Sequence, residues 1–468
     1  MMFFLAFTVL LTGCGEQGLK DNPALEATVT SNGGMSVIKG DYLYFVNGYV
    51  SASDLTKDDN KAGKVTKGAI YRTKLTDTYN EISKDKDGFL TNADRVVSKV
   101  VGFGNGGFQI IDNNIFYATP YMKLSSDGTL QTSRVEFHRV NIDGTNDEVI
   151  FVTSGTLSEW TIYKIGNTPY LVVYENSKIV SINASTGKTV GTVENSTSYA
   201  IYKDTEYVYG DSRTSFTQTN IIYTRDLDSS LDNITDYKGN VVCSFNIATG
   251  NTEVLERGNN TYTIKHATDD TVYYTYTNTG KTIACLYKKV LNADWQNATE
   301  TQLTNVEYTA YNFVDYGNDL IVATDDNGNY LLSGDANTPR LTISNSSKTI
   351  LAVYGDYAYY ADDNKLFRMY IHEARDFENA YEENKSYVIT DSSFIDFDNR
   401  RVYCYASYTA ESDDSTNYYL NYFEEIFPDG EIEQRFVGVF EANDLPALPE
   451  QPEAEYEGDE VEYVPHID

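Results

Sequence analysis

A short pattern recurs eight times along the chain: an apolar pair, a turn centred on Asp, Asn or Gly, and an aromatic or β-branched run. The turns fall at residues 41, 114, 167, 205, 270, 318, 356 and 399, so the mean spacing is roughly 51 residues. A blade of four short antiparallel strands needs about 40 to 50 residues, and longer intervals fit blades with loop insertions. The pattern predicts an all-β chain folded as a β-propeller of four-stranded blades, eight by preference and seven as the main alternative.

The second half of each unit carries hairpin signals between apolar runs, such as Asp143-Gly144 and Thr249-Gly250. Glycine adopts positive φ at little cost, which these turns require. Within the first unit, residues 42–45 place aromatic or aliphatic side chains on both faces of a strand. A sheet with one face in water is therefore excluded, whereas blades stacked face to face fit. Solenoids are the competing repeat architecture, but their period is shorter and more regular.

The unit VIKGDYLYFVNGY…GAIYRTKL (residues 37–49 and 68–75) resembles a Tyr-rich propeller family of unknown function found in lipoproteins of Gram-positive anaerobes. That family is likened to the propeller of low-density lipoprotein receptor-related proteins. The resemblance spans roughly residues 35–440 and implies a fold and a cell-surface setting, but no activity. Residues 184–188 are also similar to a quinoprotein-type repeat, although the Trp that usually follows is absent.

The N-terminus combines an apolar run with a cysteine. Residues 1–11 are almost entirely apolar, which is too short to span a bilayer but typical of a signal peptide. Leu11-Thr12-Gly13-Cys14 resembles the lipobox of bacterial lipoproteins, although no Lys or Arg precedes the run. We therefore expect residues 1–14 to be a lipoprotein signal with Cys14 as the lipidated residue. The expected location is the outer face of a bacterial membrane, held there by two or more acyl chains.

The sequence also predicts the parts that flank or interrupt the propeller of residues 35–440. Residues 15–34 are expected to form a tether, within which residues 25–29 are a candidate strand that closes the ring on the last blade. Polar insertions are expected at residues 51–94 and 211–239, and a short exposed helix at residues 371–385. The Pro- and Glu-rich segment 441–468 reads as an acidic disordered tail.

The best metal candidate is the loop of residues 83–94. Ser83, Asp85, Asp87 and Asp94 occupy positions 1, 3, 5 and 12 of a pattern that resembles a calcium-binding EF-hand loop. Ser replaces the usual first Asp and Asp replaces the bidentate Glu, so a solvated hairpin loop is the competing interpretation. Calcium is therefore the one cofactor that the sequence suggests.

The remaining cysteines, the histidines and a glycine motif do not match the sequence patterns of metal, catalytic or nucleotide-binding sites. Beyond Cys14, the cysteines 243, 285 and 404 lie in strand-like runs without zinc-site spacing, which favours buried side chains, with one disulfide and one free thiol as the alternative. The four histidines form no HxxxH or HExxH motif. Gly102, Gly104 and Gly107 match GxGxxG formally, but the strand that follows them favours a turn between blades.

Composition limits the partners. The chain has 69 acidic against 36 basic side chains, a net charge of −33, which argues against nucleic acid. The 40 tyrosines are expected mainly in the core, with sugar or peptide binding as the second interpretation. We expect a non-enzymatic surface lipoprotein whose propeller binds a protein, a peptide or a cell-wall glycan. The alternatives are a propeller hydrolase or lyase acting on polysaccharide, and a scaffold for envelope protein assembly.

Overall fold

The protein is described by a computed structural model. It describes residues 18–30, 32–47, 68–75, 83–84, 90–91, 93–101, 107–121, 126, 131, 133–200, 206–207, 219–268, 270–291, 294–315, 320–333, 341–343, 349–354, 357–362, 365–370, 378–379, 386–388, 394–396, 401–409, 416–426 and 431–436. Cys14, Asp85 and Asp87 lie outside these ranges. No helix within them has the length and hydrophobicity to cross a bilayer.

Eight antiparallel sheets of four or more strands follow one another through the described ranges. Sheet 1 contains β1 (Val29–Thr30), β2 (Ser36–Lys39), β3 (Tyr42–Val46), β4 (Ile70–Lys74), β7 (Asp94–Arg95) and β17 (Glu206–Tyr207); β5 (Ser83–Lys84) and β6 (Leu90–Thr91) form a separate hairpin. Sheet 2 contains β8 (Phe108–Ile111), β9 (Asn114–Pro120), β10 (Val135–Asn141) and β11 (Glu148–Val152). Sheet 3 contains β12 (Leu157–Ile165), β13 (Thr168–Glu175), β14 (Lys178–Asn183) and β15 (Lys188–Val193). Sheet 4 contains β16 (Ser196–Ala200), β18 (Asn220–Arg225), β19 (Val241–Asn246) and β20 (Thr252–Arg257).

The second half of the chain continues this order. Sheet 5 contains β21 (Thr261–Ala267), β22 (Thr271–Thr277), β23 (Leu286–Val290) and β24 (Thr299–Gln302). Sheet 6 contains β25 (Ala310–Asp315), β26 (Leu320–Asp325), β27 (Gly328–Ser333) and β28 (Leu341–Ile343). Sheet 7 contains β29 (Thr349–Tyr354), β30 (Tyr357–Asp362), β31 (Lys365–Tyr370) and β32 (Glu378–Asn379). Sheet 8 contains β33 (Ser386–Val388), β34 (Phe394–Asp396), β35 (Arg401–Thr409), β36 (Thr416–Ile426) and β37 (Glu431–Phe436).

The predicted all-β propeller with eight blades is confirmed. The repeat turns at residues 41, 114, 167, 270, 318, 356 and 399 each belong to a pair of neighbouring strands in a different sheet, whereas the turn at 205 does not. Most strands pair with the strand that follows them in the chain. The hairpin glycines have the positive φ that the turns require, with φ of 85° at Gly144, 69° at Gly187 and 72° at Gly250. Both faces of β3 are buried, as expected for a blade covered on two sides.

Three local predictions are wrong. The second strand of sheet 4 is β18, not residues 207–209, and β17 pairs instead with β1 in sheet 1. The predicted insertion 211–239 is thus interrupted by a strand. Within 371–385 the described residues form β32, which pairs with β31, rather than a helix. Finally, β1 pairs with β2 and β17 in the first sheet, not with sheet 8.

The strand order gives the propeller two distinct faces. First strands of neighbouring sheets contact one another, as β2 contacts β8 and β16 contacts β21, so these strands form the inner edge of each blade. Because the strands alternate in direction, turns between first and second and between third and fourth strands lie on one face, here called the turn face. Loops between second and third strands, and the connections between sheets, lie on the other, here called the linker face.

Polar side chains join the inner edges of neighbouring sheets. The Asn32 side chain accepts a hydrogen bond from Ile110 N at 2.6 Å and donates to Ile110 O at 2.9 Å. The buried Gln109 accepts from Ile162 N at 2.9 Å, and the Ser198 hydroxyl accepts from Ile264 N at 2.9 Å. A buried backbone N–H without a partner is costly, so these contacts hold sheet 1 to 2, 2 to 3 and 4 to 5 in register.

The segment 18–28 is docked on the turn face of sheets 1 and 2, so its described part is not the free tether that the sequence suggests. Leu19 N donates to Asp143 O at 2.9 Å, and a methyl group at Gly18 would lie only 2.3 Å from Asp143 Oδ2. The buried Lys39 amine donates to Leu25 O at 3.0 Å and to Ala27 O at 3.3 Å.

A second buried cation fixes the same segment. The Arg72 guanidinium donates to Asn22 Oδ1 and, at 2.5 Å, to Lys20 O. It also lies 4.9 Å from the ring centroid of Tyr42. Two cations from sheet 1 thus hold backbone and side-chain oxygens of the segment that leads into β1.

Replacing Gln109 with Ala should lower the free energy of unfolding by about 2 kcal/mol, because Ile162 N and Thr161 Oγ1 would lose a buried partner. Urea denaturation followed by tyrosine fluorescence measures this. Glu253→Ala, on the exposed face of β20, is the control and should change little. Equal stability of both variants would contradict a structural role for the Gln109 contact.

Lys39 predicts a pH dependence of stability. Burial lowers the pKa of its amine from 10.5 to about 8, although the charge of Asp112 partly opposes this. Between these values the unfolded chain keeps a proton that the folded chain releases, so stability gains from rising pH. We expect Lys39→Met to lose this gain between about pH 7.5 and 9.5. Tyrosine titration affects the stability of wild type and variant alike, so it drops out of the difference between them. If the urea midpoints of the two proteins changed in parallel across this pH range, Lys39 would not be the cause of the pH dependence.

Candidate recognition face

Four large apolar side chains are exposed on the linker face of sheets 4 and 5. Leu231 is 65% exposed, Ile234 50%, Ile283 50% and Val306 47%. They lie in the loop 226–239 between β18 and β19, the loop 278–285 between β22 and β23, and the connection 303–309 to sheet 6. We call these three segments together the recognition face. Single exposed apolar residues are ordinary, so it is the grouping of four on the linker face of two neighbouring sheets that makes this face a candidate interaction site.

Loop 226–239 is held by one buried carboxylate. Asp232 has a fully buried side chain and accepts hydrogen bonds from Arg225 Nη1 at 2.6 Å, Arg225 Nη2 at 3.2 Å and Arg257 Nε at 2.5 Å. The backbone N–H of Asp228 donates to it at 3.0 Å. The Arg225 hydrogen bond holds the pKa of Asp232 well below its usual range despite burial, and Arg257 and Asp228 N–H act in the same direction.

Local hydrogen bonds shape the turn that carries Leu231. Asp228 Oδ1 accepts from Ser230 N at 2.7 Å, while Asp228 O accepts from Asp232 N at 2.7 Å. Asp and Ser form such turns because their short side chains reach backbone groups two residues away. With Asp232 turned inward to the arginines, the neighbouring Leu231 is directed to solvent.

The end of the loop is fastened to sheet 5. Gly239 N donates to Gly258 O at 3.0 Å, and a Cβ at Gly239 would lie 1.8 Å from Asn260 O, so glycine is required there. The buried Asn240 side chain exchanges two hydrogen bonds with the Tyr262 backbone, at 2.7 and 2.8 Å. The loop is therefore a fixed platform between two blades.

The neighbouring loop 278–285 is ordered by its own contacts. Asn278 Oδ1 accepts from Gly280 N at 2.9 Å and from Lys281 N at 2.8 Å, closing a turn. The Lys281 ammonium lies 4.5 Å and 4.4 Å from the ring centroids of Tyr276 and Tyr287 and donates to both hydroxyls. These contacts fix the base of the loop that exposes Ile283.

Acidic side chains surround the apolar ones. Asp226, Asp228, Asp236 and Glu307 are exposed on the recognition face, against the exposed cation of Lys238. A surface that combines aliphatic side chains with an excess of carboxylates is complementary to a partner that is apolar and basic.

The predicted calcium loop is not assembled as a helix-flanked loop. Ser83 lies in β5 and pairs with Thr91 of β6, whereas Asp94 lies in β7 of sheet 1 and is 3.5 Å from Arg72 Nε. Asp85 and Asp87 lie outside the described residues. Within the ranges that the structure describes, no group of three or more His, Cys, Asp or Glu side chains is placed to hold a metal ion.

The cysteines other than Cys14 lie in or beside strands, and of the formal glycine motif only Gly107 is described, because Gly102 and Gly104 lie outside the described residues. Cys243 in β19 and Cys285 just before β23 are buried and not disulfide-bonded, and burial raises the pKa of both thiols. Cys404 lies in β35. Gly107 precedes β8, where a Cβ would lie 1.8 Å from Gly34 O, so the glycine permits close approach of two sheets.

One histidine belongs to a polar cluster near the turn face. His138 is buried, stacks on Tyr117 at 5.1 Å, and its Nδ1 is 2.9 Å from Asp147 Oδ1. Its Nε2 is 3.4 Å from Glu136, and Lys99 Nζ is 3.3 Å from Asp147. Burial acts to raise the pKa of Asp147, but the His138 hydrogen bond and nearby cations hold it below its usual range. The His138 nitrogens thus face partners inside the cluster, so its geometry fits a structural polar contact.

Tyrosine is a core residue in this protein, as expected. Tyr44, Tyr117, Tyr223, Tyr262 and Tyr274 are buried. Tyr262 donates to Glu256 at 2.7 Å, and Tyr274 donates to Glu300. The hydroxyls of Tyr262 and Tyr274 thus reach carboxylate partners. Because all five rings are buried, their faces are inaccessible to a sugar.

No protein-family model and no curated protein matches the chain. Among solved structures, the chain is similar to dipeptidyl peptidase 4 of Porphyromonas gingivalis, with 11% identity, a TM-score of 0.47, and coverage of 87% of this chain and 61% of that one. Oligopeptidase B of Leishmania major matches at 12% identity and TM-score 0.43, over 73% of this chain and 48% of that one. The β-propeller domain of the Trilobed protease from Pyrococcus furiosus matches at 10% identity and TM-score 0.38, over 71% and 93%. At these identities and TM-scores the likenesses carry no argument about activity or substrate.

The sequence predicts loop 226–239 only as part of the polar insertion 211–239, not as a binding loop. The alternation Asp-Leu-Asp-Ser-Ser-Leu-Asp-Asn-Ile at residues 226–234 is the signal that was available. It does not reveal that Asp232 faces inward, because Arg225 and Arg257 come from different strands.

Asp232→Asn should loosen loop 226–239, because it removes the negative charge that both arginines neutralise. We expect amide hydrogen exchange in the loop to speed up about tenfold or more, as for the loss of a charged hydrogen bond. Asp226→Asn removes an equal charge from the same loop and is the control. Because the pKa of Asp232 is lowered in the folded wild-type protein, its carboxylate stabilises the loop fully above about pH 4. This stabilisation is lost as the pH falls further. Unchanged amide hydrogen exchange in loop 226–239 of Asp232→Asn at neutral pH would show that Asp232 does not hold this loop.

Proposed function

We propose that the protein is an exported lipoprotein, anchored through Cys14, whose propeller is a non-enzymatic binding module. Its proposed ligand is a protein or peptide with an apolar and basic surface. The observation that carries the proposal is the recognition face, where Leu231 and Ile234 are exposed on a loop whose conformation is fixed by Asp232. A rigid loop loses little entropy on binding, so exposed aliphatic side chains on it favour association.

The same geometry favours a protein partner over a glycan. Glycan sites rely on flat aromatic faces, whereas the recognition face presents aliphatic side chains at its most exposed positions. Salt should weaken binding, because the exposed carboxylates of Asp226, Asp228 and Asp236 would pair with basic groups of the partner.

An affinity capture from bacterial envelope extract tests this proposal. The double variant Leu231→Ser/Ile234→Ser should reduce retention of the protein partner at least about tenfold, since each buried aliphatic contact contributes about 1–2 kcal/mol. Leu25→Ser, which removes a 38% exposed side chain on the turn face, is the matched control and should retain the partner.

Several outcomes would contradict the proposal. Equal retention by the double variant and wild type would exclude the loop as the binding element. Specific capture of oligosaccharides on a glycan array, unaffected by the double variant, would favour a glycan ligand elsewhere. A partner that copurifies constitutively as one component of an envelope assembly would favour the scaffold function.

A further inference from the structure

We infer that the turn face of sheets 1 and 2 is held against the lipid bilayer, so that the recognition face points away from the membrane. The inference rests on the proposed lipid anchor at Cys14. It adds an orientation and a membrane-proximal surface, which the anchor alone does not define.

The segment that leads from the proposed anchor into β1 is fixed on the turn face. Gly18 and Leu19 lie against Asp143, in the turn between β10 and β11, which belongs to the turn face. Lys20 O and Asn22 Oδ1 are held by Arg72, and the carbonyl oxygens of Leu25 and Ala27 are held by Lys39. The segment is therefore fastened from residue 18 until it enters β1.

The chain between Cys14 and the docked segment is short. Only residues 15–17 separate Cys14 from Gly18, so the anchor reaches at most about 14 Å from its point of attachment. The nine residues of β12 extend the blade about 30 Å from one face to the other. Because the reach is about half the thickness, the protein cannot turn over to place its linker face on the bilayer.

The recognition face lies on the side of the propeller opposite the turn face. Leu231, Ile234 and Ile283 lie in loops between second and third strands, which are on the linker face. The topology thus separates the proposed anchor and the proposed binding loop by the full thickness of the propeller. A partner would reach the loop from the side opposite the membrane.

The experiment uses the full lipidated chain reconstituted in phosphatidylcholine vesicles that contain a headgroup-labelled acceptor lipid. A donor probe is attached to Thr186→Cys, in the exposed turn between β14 and β15, or to Ser229→Cys, in the exposed loop 226–239. We expect energy transfer from the Thr186 position to exceed that from the Ser229 position about threefold or more, because the faces stand about 30 Å apart. The unsubstituted chain, labelled in parallel, measures the background from its own cysteines.

A matched variant tests the role of the short connection. Insertion of about 20 Gly and Ser residues between Gln17 and Gly18 gives a flexible linker of about 25 Å average span, which should largely abolish the difference between the two probes. Equal energy transfer from both positions in the vesicle-bound wild type would overturn the orientation while leaving the anchor intact. Absence of lipid on Cys14, measured by mass spectrometry, would overturn both the anchor and the orientation.

Discussion

The backbone groups on the inner edge of each sheet set the main structural constraint. In sheets 2 to 7 the first strand pairs with only one other strand of its sheet, so the N–H and C=O groups on its other edge need partners from elsewhere. The protein satisfies some of them with side chains from the preceding sheet: Asn32 for Ile110, Gln109 for Ile162 and Ser198 for Ile264. These contacts fix neighbouring blades at one height, and the position of every loop follows from that.

The same constraint explains why the recognition face is rigid. Loop 226–239 leaves sheet 4, but its far end is bound to sheet 5 through Gly239 and Asn240. Asp232 then pairs with two arginines from different strands of sheet 4, which closes the loop over its own base. The free energy needed to desolvate the buried carboxylate is offset by three N–H donors of the arginines and one backbone amide. Removal of Asp232 is therefore expected to affect the loop more than removal of an exposed carboxylate.

The sequence predicts the fold better than the site for a physical reason. Each blade is built from local hairpins, so Gly40-Asp41 or Asp143-Gly144 reveals strands that pair within a few residues. Sheet 4 shows where this fails: residues 205–209 have the same pattern, but β17 pairs with a distant strand of sheet 1. The Asp232 lock and the Arg72 contact with Lys20 O join residues 25 and 52 positions apart, and no local pattern encodes such contacts.

Charge and anchoring act together in the orientation that we infer. A net charge of −33 repels the body of the protein from anionic lipid, so electrostatic attraction would not hold it flat on such a membrane. A long tether would then let the propeller move away and rotate freely. Docking of residues 18–28 by Lys39 and Arg72 leaves only three residues between Cys14 and the docked segment, which restricts rotation whatever the lipid charge. Two buried cations in sheet 1 therefore determine which face of the propeller a partner can approach.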